Sequence, residues 1–583
     1  MEARLNKKLP MMAWFVELRN DGSPKYFEHG NSVVLTDEFA FEGTFDGDIS
    51  GHGIANSNVS LGSGFVQEEE GALFITPSHT LEGLFFVKNQ QRKFVTNSNV
   101  IAYHLAEITA SHLAVKIGWR IKYGIGQVPQ QIEKTKDAEI EKISFFNFRI
   151  TAKELVLIEK AKDPTFSNFT QYFDYLVETG KKLQSNLREL SDLNWTLIST
   201  VSTGFDSVAC LALAKTIGCK RAVTLQNGRG NVNDNGAQIA QSIGIECTEY
   251  VRPFSEQASN SRIALTYDDL SDCAEFVAAG TLAEDVCYLP FEASIANTIL
   301  LTGFQADKLW GRKFTPSSSL ERGDISGSSM GEFRLRVGFV HWPVPYIGCR
   351  SNKDLLKITF SDELAEYRDE SNYNKPIAIK MAESVGIPRD LYGLRKKAAS
   401  VLLDETPNAL SVSLYRQQLK YGLIESKNFV YSDCIDLAAS RSPKIKFTEK
   451  YHDRYSGSPP NVYSESRFDL AADSVEIHIF GRSVGLVSIK INSGVTYFDA
   501  LSGYVEKLST SDLDKSALSI FEKIRTFVLP ELRDFSNNKK QYVHFSYSTT
   551  SGHFVSIYDQ NLDFPSDVNY YLGSLWQGNT GVV

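Results

Sequence analysis

The sequence predicts an α/β protein with a doubly wound parallel sheet in the middle of the chain, a β-rich domain before it and a small α+β module after it. Three observations predict this division. Residues 186–410 alternate short apolar strands with helices, residues 1–185 contain short β segments between turn residues, and residues 411–583 change composition around a Ser/Pro-rich loop. A chain of 583 residues also exceeds what one hydrophobic core supports, so several domains are expected.

The N-terminal domain (1–185) is predicted from segments such as "AWFVELRN" and "GALFITP", which alternate with Gly, Asn, Asp and Ser. The stretch 99–118 has a helical pattern that ends at a glycine. Residues 165–190 have the periodicity of an amphipathic helix that leads into the central domain.

The central domain (186–410) begins with the strand "TLISTV" and a helix that ends at Gly218. The strand "RAVTLQ", a helix that ends at Gly244 and the strand "IECTEYV" follow, and helical patterns continue over 253–280 and 375–385. Strands alternating with helices of this length indicate a parallel sheet. In the C-terminal module (411–583), segments such as "QYVHFSYSTTSGHFVSIYD" predict strands, and 517–529 predicts a helix.

Composition excludes several classes of function. The formal net charge is -9, so nucleic acid is not an expected partner. No apolar run approaches the length of a membrane span and no secretory signal is predicted, so we expect no membrane partner. The seven cysteines are odd in number and lack C-x-x-C spacing, which indicates reduced thiols and a cytoplasmic location. The ten histidines show no ligand spacing, so zinc is not expected.

The segment "STGFDS" (202–207) carries the chemistry of the central domain. It follows a predicted strand and opens a helix, where free backbone N–H groups and the helix dipole attract anions. Hydroxyls of Ser202, Thr203 and Ser207 add hydrogen bonds to phosphate oxygens, and Gly204 lets the backbone come close. Asp206 would repel a bare phosphate, so its expected role is to hold Mg²⁺ against one. The alternative is a simple helix cap, since Ser, Thr and Asp are all good N-caps.

The spacing resembles the S-G-G-x-D-S loop of the PP-loop ATP pyrophosphatases, with Thr203 at the first glycine. Within that family, the chain is similar to the synthetase domain of asparagine synthetase and β-lactam synthetase. The resemblance implies that "RAVTLQ", and with it Leu225, lies by the adenine of ATP. "NDNGAQIAQSIGIECTEY" is similar to the family's next segment, with Asp234 or Asn235 near its start.

Two later segments extend the resemblance. "TGFQADKLWG" (302–311) resembles the family's S-G-E-G-S-D-E-x-F-G, and it implies that Gly303 lies in the nucleotide site and that Asp307 supplies the second Mg²⁺ carboxylate. "YNKPIAIKMAESVGIPRDLYGLRKKAAS" looks like the closing segment, in which a lysine neutralises charge on the adenylate. Lys396 and Lys397 are the candidates, although a basic run on a solvated surface is the simpler alternative.

The resemblance implies an ATP- and Mg²⁺-dependent ligase that releases AMP and pyrophosphate. Such an enzyme adenylates a carboxylate or amide oxygen of a small molecule or peptide, and an amine acceptor then forms a C–N bond. Whether the protein forms a homodimer is left open by the sequence. The main departure is Phe304, which replaces a glutamate that the family uses near the amine, while Lys308 replaces a second acid. Synthesis of asparagine from ammonia is therefore not expected.

The N-terminal domain also departs from asparagine synthetase, whose glutaminase nucleophile is a cysteine directly after the initiator methionine. This chain begins Met1-Glu2 and has no cysteine before Cys210, so no glutaminase activity is expected. The domain is interpreted as a degenerate glutaminase-like scaffold. Two alternatives remain open at this point: adenylation of a nucleobase or tRNA for sulfur or nitrogen insertion, and a degenerate nucleotide-binding scaffold protein without catalysis.

Overall fold

The computed structural model describes residues 1–69, 71–108, 119–152, 154–191, 193–253, 275–278, 281–282, 284–312, 314, 316–322, 324–369, 373–393, 399–400, 414, 417–418, 420–424, 464–466, 474–479, 487–492, 541–548 and 552–559. The chain divides into two compact units, Met1–Ile424 and Glu425–Val583. Residues from both 1–185 and 186–410 lie in the first unit and share one large hydrophobic core. The boundary at 185 stays a prediction.

The protein is mixed α/β, with several sheets. The strands of the described residues are β1 (Glu2–Leu5), β2 (Trp14–Leu18), β3 (Pro24–His29), β4 (Val34–Leu35), β5 (Phe39–Phe45), β6 (Ser60–Glu68), β7 (Gly71–Ile75), β8 (Leu84–Asn89), β9 (Arg92–Thr96), β10 (Gln130–Lys134), β11 (Ala138–Ile143), β12 (Asn147–Ile150), β13 (Leu155–Ile158), β14 (Thr196–Thr200), β15 (Arg221–Leu225), β16 (Glu246–Tyr250), β17 (Val277–Ala278), β18 (Thr281–Leu282), β19 (Thr298–Thr302), β20 (Val340–Pro343), β21 (Ser464–Ser466), β22 (Ser474–Ile479), β23 (Val487–Asn492), β24 (Gln541–Ser548) and β25 (Gly552–Asp559).

The α-helices of the described residues are α1 (Gly51–Ala55), α2 (Asn99–Ala106), α3 (Phe169–Leu190), α4 (Phe205–Thr216), α5 (Ala237–Ser242), α6 (Glu292–Ile295), α7 (Gly331–Val337), α8 (Asn352–Phe360) and α9 (Pro376–Ser384). Short 3₁₀ helices span Trp119–Gln127, Arg229–Asn231, Glu284–Phe291, Ala306–Lys308, Val344–Tyr346, Cys349–Ser351, Asp362–Tyr367 and Arg389–Leu391. In the described part of the chain, no helix is both long enough and apolar enough to cross a bilayer.

Two sheets form the N-terminal part of the first unit. One has seven strands in the order β1-β3-β2-β9-β8-β11-β10, and the other has six in the order β13-β12-β7-β6-β5-β4. Every second residue of β2 is fully buried, and these side chains pack against the other sheet. Trp14 and Phe27 contact Phe65 across the interface, with ring centroids 6.1 and 5.2 Å apart. The predicted β-rich character of this region is confirmed.

A five-stranded parallel sheet follows, in the order β16-β15-β14-β19-β20. All residues of β19 are buried, as expected where both faces of a parallel sheet are covered. The chain runs outward from β14 through β15 to β16, and then returns to β19 and β20 on the other side of β14. The strand order therefore reverses between β14 and β19, which is where open α/β sheets leave a crevice for ligands.

Helix α3 joins the N-terminal sheets to the parallel sheet. Its Asn186 side chain donates hydrogen bonds to the carbonyls of Phe45 and Gly47, each 2.6 Å long. On another face, Gly180 lies against the Trp342 ring of β20, where an added Cβ would come within 2.5 Å of the ring. The glycine is thus required for the close approach of α3 to β20.

Several predicted helices differ in extent. The helix predicted over 99–118 ends at Ala106, because Glu107 adopts a left-handed conformation with φ of 53° and caps it; residues 109–118 lie outside the described residues. The helical pattern over 253–280 also falls mostly outside them, but Val277–Ala278 pairs with Thr281–Leu282 as a two-stranded ribbon, so the prediction is wrong there. The helices predicted over 165–190 and 375–385 are confirmed as α3 and α9. The helix predicted over 517–529 lies outside the described residues.

Candidate functional site

The loop Ser202–Ser207 connects β14 to α4 at the carboxyl end of the parallel sheet, where it was predicted. Its hydroxyls bond within the loop: Ser207 Oγ accepts from the backbone N–H of Ser202 at 2.9 Å, and Ser202 Oγ accepts from the N–H of Gly204 at 3.2 Å. Gly204 is the N-cap residue of α4, and no side chain caps the helix. The helix-cap alternative therefore does not account for the polar residues of this loop.

Thr203, which stands where the family has a glycine, bonds to the neighbouring loop. Its backbone N–H and its hydroxyl both donate to Asp234 Oδ1, at 3.1 and 2.6 Å. Asp234 is buried and precedes α5. The larger side chain at position 203 is thus accommodated by a hydrogen bond that ties two loops of the same sheet edge together.

The second predicted loop, Gly303 to Asp307, follows β19 and meets the first loop directly. Strand β19 pairs in parallel with β14, from Thr196 opposite Thr298 to Ser199 opposite Leu301, so both loops start at the same edge. A Cβ added at Gly303 would lie 2.7 Å from the Cβ of Asp206. Only glycine permits this approach, and it brings the carboxylates of the two loops together.

Lys375 contacts both of these carboxylates. Its Nζ lies 2.5 Å from Asp206 Oδ1 and 2.6 Å from Asp307 Oδ1, so these two oxygens are at most 5.1 Å apart. The lysine is buried. Burial alone would lower the pKa of Lys375, but the two carboxylates outweigh burial and raise it, which keeps the ammonium charged.

Lys375 was not predicted as a site residue, although it lies in the segment that resembles the family's closing motif. Lys375 directly precedes Pro376, the first residue of α9, and this helix packs against α4. The same segment is attached to the first loop, because the N–H of Gly393 donates to the carbonyl of Thr203 at 2.8 Å. A lysine placed before a proline-initiated helix was the available signal, but nothing in its spacing connects it to Asp206.

The residues present fit a bound Mg²⁺. Asp206 and Asp307 already share one cationic group, and two carboxylate oxygens with phosphate oxygens and water form a donor set that Mg²⁺ prefers. Asp206 and Asp307 are partly exposed, which leaves room for additional ligands.

A cavity of about 320 Å³ lies at this edge of the sheet, a volume within the range of small-molecule sites. Leu225, at the end of β15, lines it, as do Gly303 and both aspartates. The full lining also includes Thr200, Val201, Ser202, Gly204, Ser207, Val223, Thr224, Asp234, Asp285, Cys287, Tyr288, Phe291, Phe304, Gln305, Ala306, Lys308, Arg322, Asp324, Ser326, Tyr373, Ala399 and Ser400. Of the predicted residues in this region, Thr203 lies beside the cavity rather than in its lining.

Lys396 and Lys397 lie outside the described residues. Ala399 and Ser400, which follow them, line the cavity. Their carbonyls accept hydrogen bonds of 2.8 Å from the Arg252 guanidinium. The chain therefore reaches the cavity just after the predicted basic pair.

Phe304 forms an apolar wall of the cavity. Its ring lies 6.0 Å from that of Tyr288 and 5.8 Å from that of His341, measured between centroids. The buried carboxylate of Asp285 lines the same cavity, but it accepts hydrogen bonds from the N–H groups of Gly327 and Ser329. Burial raises the pKa of Asp285 despite these bonds.

No protein-family model matches the chain, and no curated protein matches it. The interpretation of the site therefore depends on its geometry and on the motifs of the sequence.

Proposed function

We propose that this protein is an ATP-dependent, AMP-forming ligase of the asparagine synthetase type, and that its parallel sheet has the doubly wound PP-loop fold. One observation carries the proposal. Two loops that are almost one hundred residues apart meet at the reversal of strand order, and they bring Asp206 and Asp307 to one cation. Both are the residues that the resemblance assigns to Mg²⁺.

Each loop has a separate task in this proposal. The backbone N–H groups of this loop, including that of Gly204, bind phosphate oxygens at the start of α4, assisted by the helix dipole. The hydroxyls of Ser202 and Ser207 add hydrogen bonds. Asp206 and Asp307 would hold Mg²⁺, and the ion would supply positive charge to the phosphate oxygens.

The nucleotide and the reacting charge are handled by further residues. Leu225 lies by the adenine, and Gly303 allows the loops to meet. Lys375 contributes a positive charge at the same edge of the sheet, and Lys396 and Lys397 would stabilise charge on the adenylate, as the resemblance implies.

The other half of the proposed reaction joins a carboxylate or amide oxygen to an amine. Phe304 offers no proton acceptor at the place where the family has a glutamate, so a small polar amine such as ammonia finds no base there. An acceptor that presents an apolar surface to the Phe304 ring fits better. The proposed pathway is therefore the biosynthesis of a small molecule or peptide, with no glutaminase step.

The test is formation of AMP and pyrophosphate from ATP and Mg²⁺ with a panel of amino acids and peptide carboxylates. Asp206→Asn and Asp307→Asn are expected to lose at least a hundredfold in rate, since each removes a metal ligand. Asp137→Asn is the control, because this exposed aspartate lies in a turn between β10 and β11. Absence of ATP binding and of AMP with every acid would refute the proposal.

A nucleotide-binding scaffold without turnover is the second candidate, and Lys375 is the observation that favours it. Its ammonium lies between the two aspartates, as a bound metal ion would. A scaffold would bind ATP tightly without producing AMP, and its affinity would not change with Mg²⁺ or with Asp206→Ala. Calorimetric titration of ATP with and without Mg²⁺ separates the two candidates.

A further inference from the structure

A second cluster of buried polar side chains lies next to Phe304, outside the cavity lining. It consists of His79 and Glu82, in the segment between β7 and β8, and His341 of β20. All three side chains are buried. One donor atom from each lies within 4.8 Å of the other two.

The donor atoms are unsatisfied. His79 Nδ1, Glu82 Oε1 and His341 Nδ1 are buried and have no hydrogen-bond partner, although His341 Nδ1 and Glu82 Oε1 are only 3.4 Å apart. Buried polar atoms are nearly always paired in folded proteins, so unpaired atoms on three residues whose ligand atoms lie this close together require an explanation. A shared cation would satisfy all of them.

Neighbouring groups orient these atoms as they do in metal sites. His341 Nε2 is 2.9 Å from the hydroxyl of Thr302. In the tautomer that carries its proton on Nε2, His341 donates to this hydroxyl and the lone pair of Nδ1 is on the side of Glu82. Glu82 Oε2 lies 2.7 Å from Arg334 Nε, which leaves Oε1 for the cation.

The charges also suit a cation. Arg334 forms a bidentate pair with Glu42, at 2.8 and 2.9 Å, so that its charge is shared between two carboxylates. Glu82 is the second of these carboxylates, and a carboxylate beside two imidazoles is a ligand set that binds divalent transition ions.

We propose that His79, Glu82 and His341 bind a divalent first-row transition ion, for which Zn²⁺ is the probe. Two imidazoles and one carboxylate favour such an ion over Mg²⁺, which prefers oxygen ligands. Bound there, the ion links the N-terminal sheets to the parallel sheet. This site is independent of the proposed ATP site, and its residues could not be found from the sequence because histidines from distant segments show no local spacing.

The first experiment measures metal in the full-length wild-type protein. The protein is produced with added Zn²⁺ and purified by gel filtration in buffer freed of metal ions. We expect about one equivalent of zinc per chain, measured by inductively coupled plasma mass spectrometry. Replacement by Co²⁺ should give the visible absorption of a low-symmetry, four- or five-coordinate ion. Excess Mg²⁺ should displace neither. A wild-type protein that holds no zinc and gives no Co²⁺ spectrum overturns the proposal, whether or not any variant folds.

Variants then place the ion. His79→Gln and His341→Gln should each lose the bound zinc and the Co²⁺ spectrum, whereas His52→Gln, at an exposed position of α1, should keep both. Asp206→Asn should also keep them, which separates this site from failure of the ligase proposal. Retention of one equivalent of zinc in folded His79→Gln and His341→Gln would show that the ion binds elsewhere and would overturn the assignment.

Discussion

Replacing Lys375 with methionine removes the cation that lies between Asp206 and Asp307. The lysine side chain is 4% exposed, whereas the aspartates are 31% and 51% exposed. Breaking a fully buried ion pair costs about 3–5 kcal/mol, and an exposed pair is worth about 0.2–1 kcal/mol. Because only the lysine end of this contact is buried, we expect Lys375→Met to lower the free energy of unfolding by about 2 kcal/mol.

The same variant tests whether the aspartates share a cation site. In the wild type, Mg²⁺ competes with the ammonium of Lys375, whereas in Lys375→Met that competitor is gone. Mg²⁺ is therefore expected to raise the melting temperature of the variant more than that of the wild type. The control is Lys357→Met, which removes an exposed lysine 2.9 Å from Asp354 and should change neither stability nor the response to Mg²⁺.

Thermal denaturation with and without Mg²⁺ gives both results. If Lys375→Met melts at the wild-type temperature, the contact does not hold the two loops together. If Mg²⁺ raises the melting temperatures of both proteins equally, Asp206 and Asp307 do not form a common metal site, and the proposed role of Mg²⁺ fails with them.

Three further predictions follow from individual contacts. Gly303→Ala places a Cβ 2.7 Å from Asp206 Cβ and should weaken ATP binding about tenfold, which calorimetry measures; unchanged affinity would contradict the close meeting of the loops. Thr203→Gly removes the 2.6 Å hydrogen bond to the adjacent loop and should cost about 2 kcal/mol in unfolding free energy, with ATP affinity retained. Burial lowers the pKa of Lys160 to about 7, so the unfolded chain binds the additional proton and stability should rise between pH 7 and 10.5, by up to about 1.4 kcal/mol per unit. Lys160→Met should lack this part of the rise in a series of melting temperatures, and exposed Lys162→Met should keep it.

Much of the candidate site could be predicted because its signals are local. A strand, a polar loop and a helix are contiguous in sequence, so the position of Asp206 at the sheet edge followed from periodicity alone. The second loop and Asp307 were predicted instead from the resemblance of residues 302–311 to a family motif. That β14 and β19 are neighbours did not follow from periodicity, because strand order depends on how the chain returns to the sheet.

The rest could not be predicted because it depends on contacts between distant segments. Lys375 is 68 residues from Asp307 and 169 from Asp206, and only the folded chain shows that it reaches both. The same holds for His79, in the segment between β7 and β8, and His341 of β20, whose ring centroids are 5.7 Å apart.

Phe304 connects the two polar sites and explains why an acid is absent from its position. Its ring lines the cavity and also lies edge-on to His341, which is 3.4 Å from Glu82. A carboxylate at position 304 would bring a further negative charge toward Glu82. The positive charge of Arg334 is already shared between Glu82 and Glu42. The aromatic ring avoids this cost and shields the histidine cluster from the cavity. In the proposed ligase reaction, the base for the amine acceptor must therefore come from another part of the cavity or from the substrate itself.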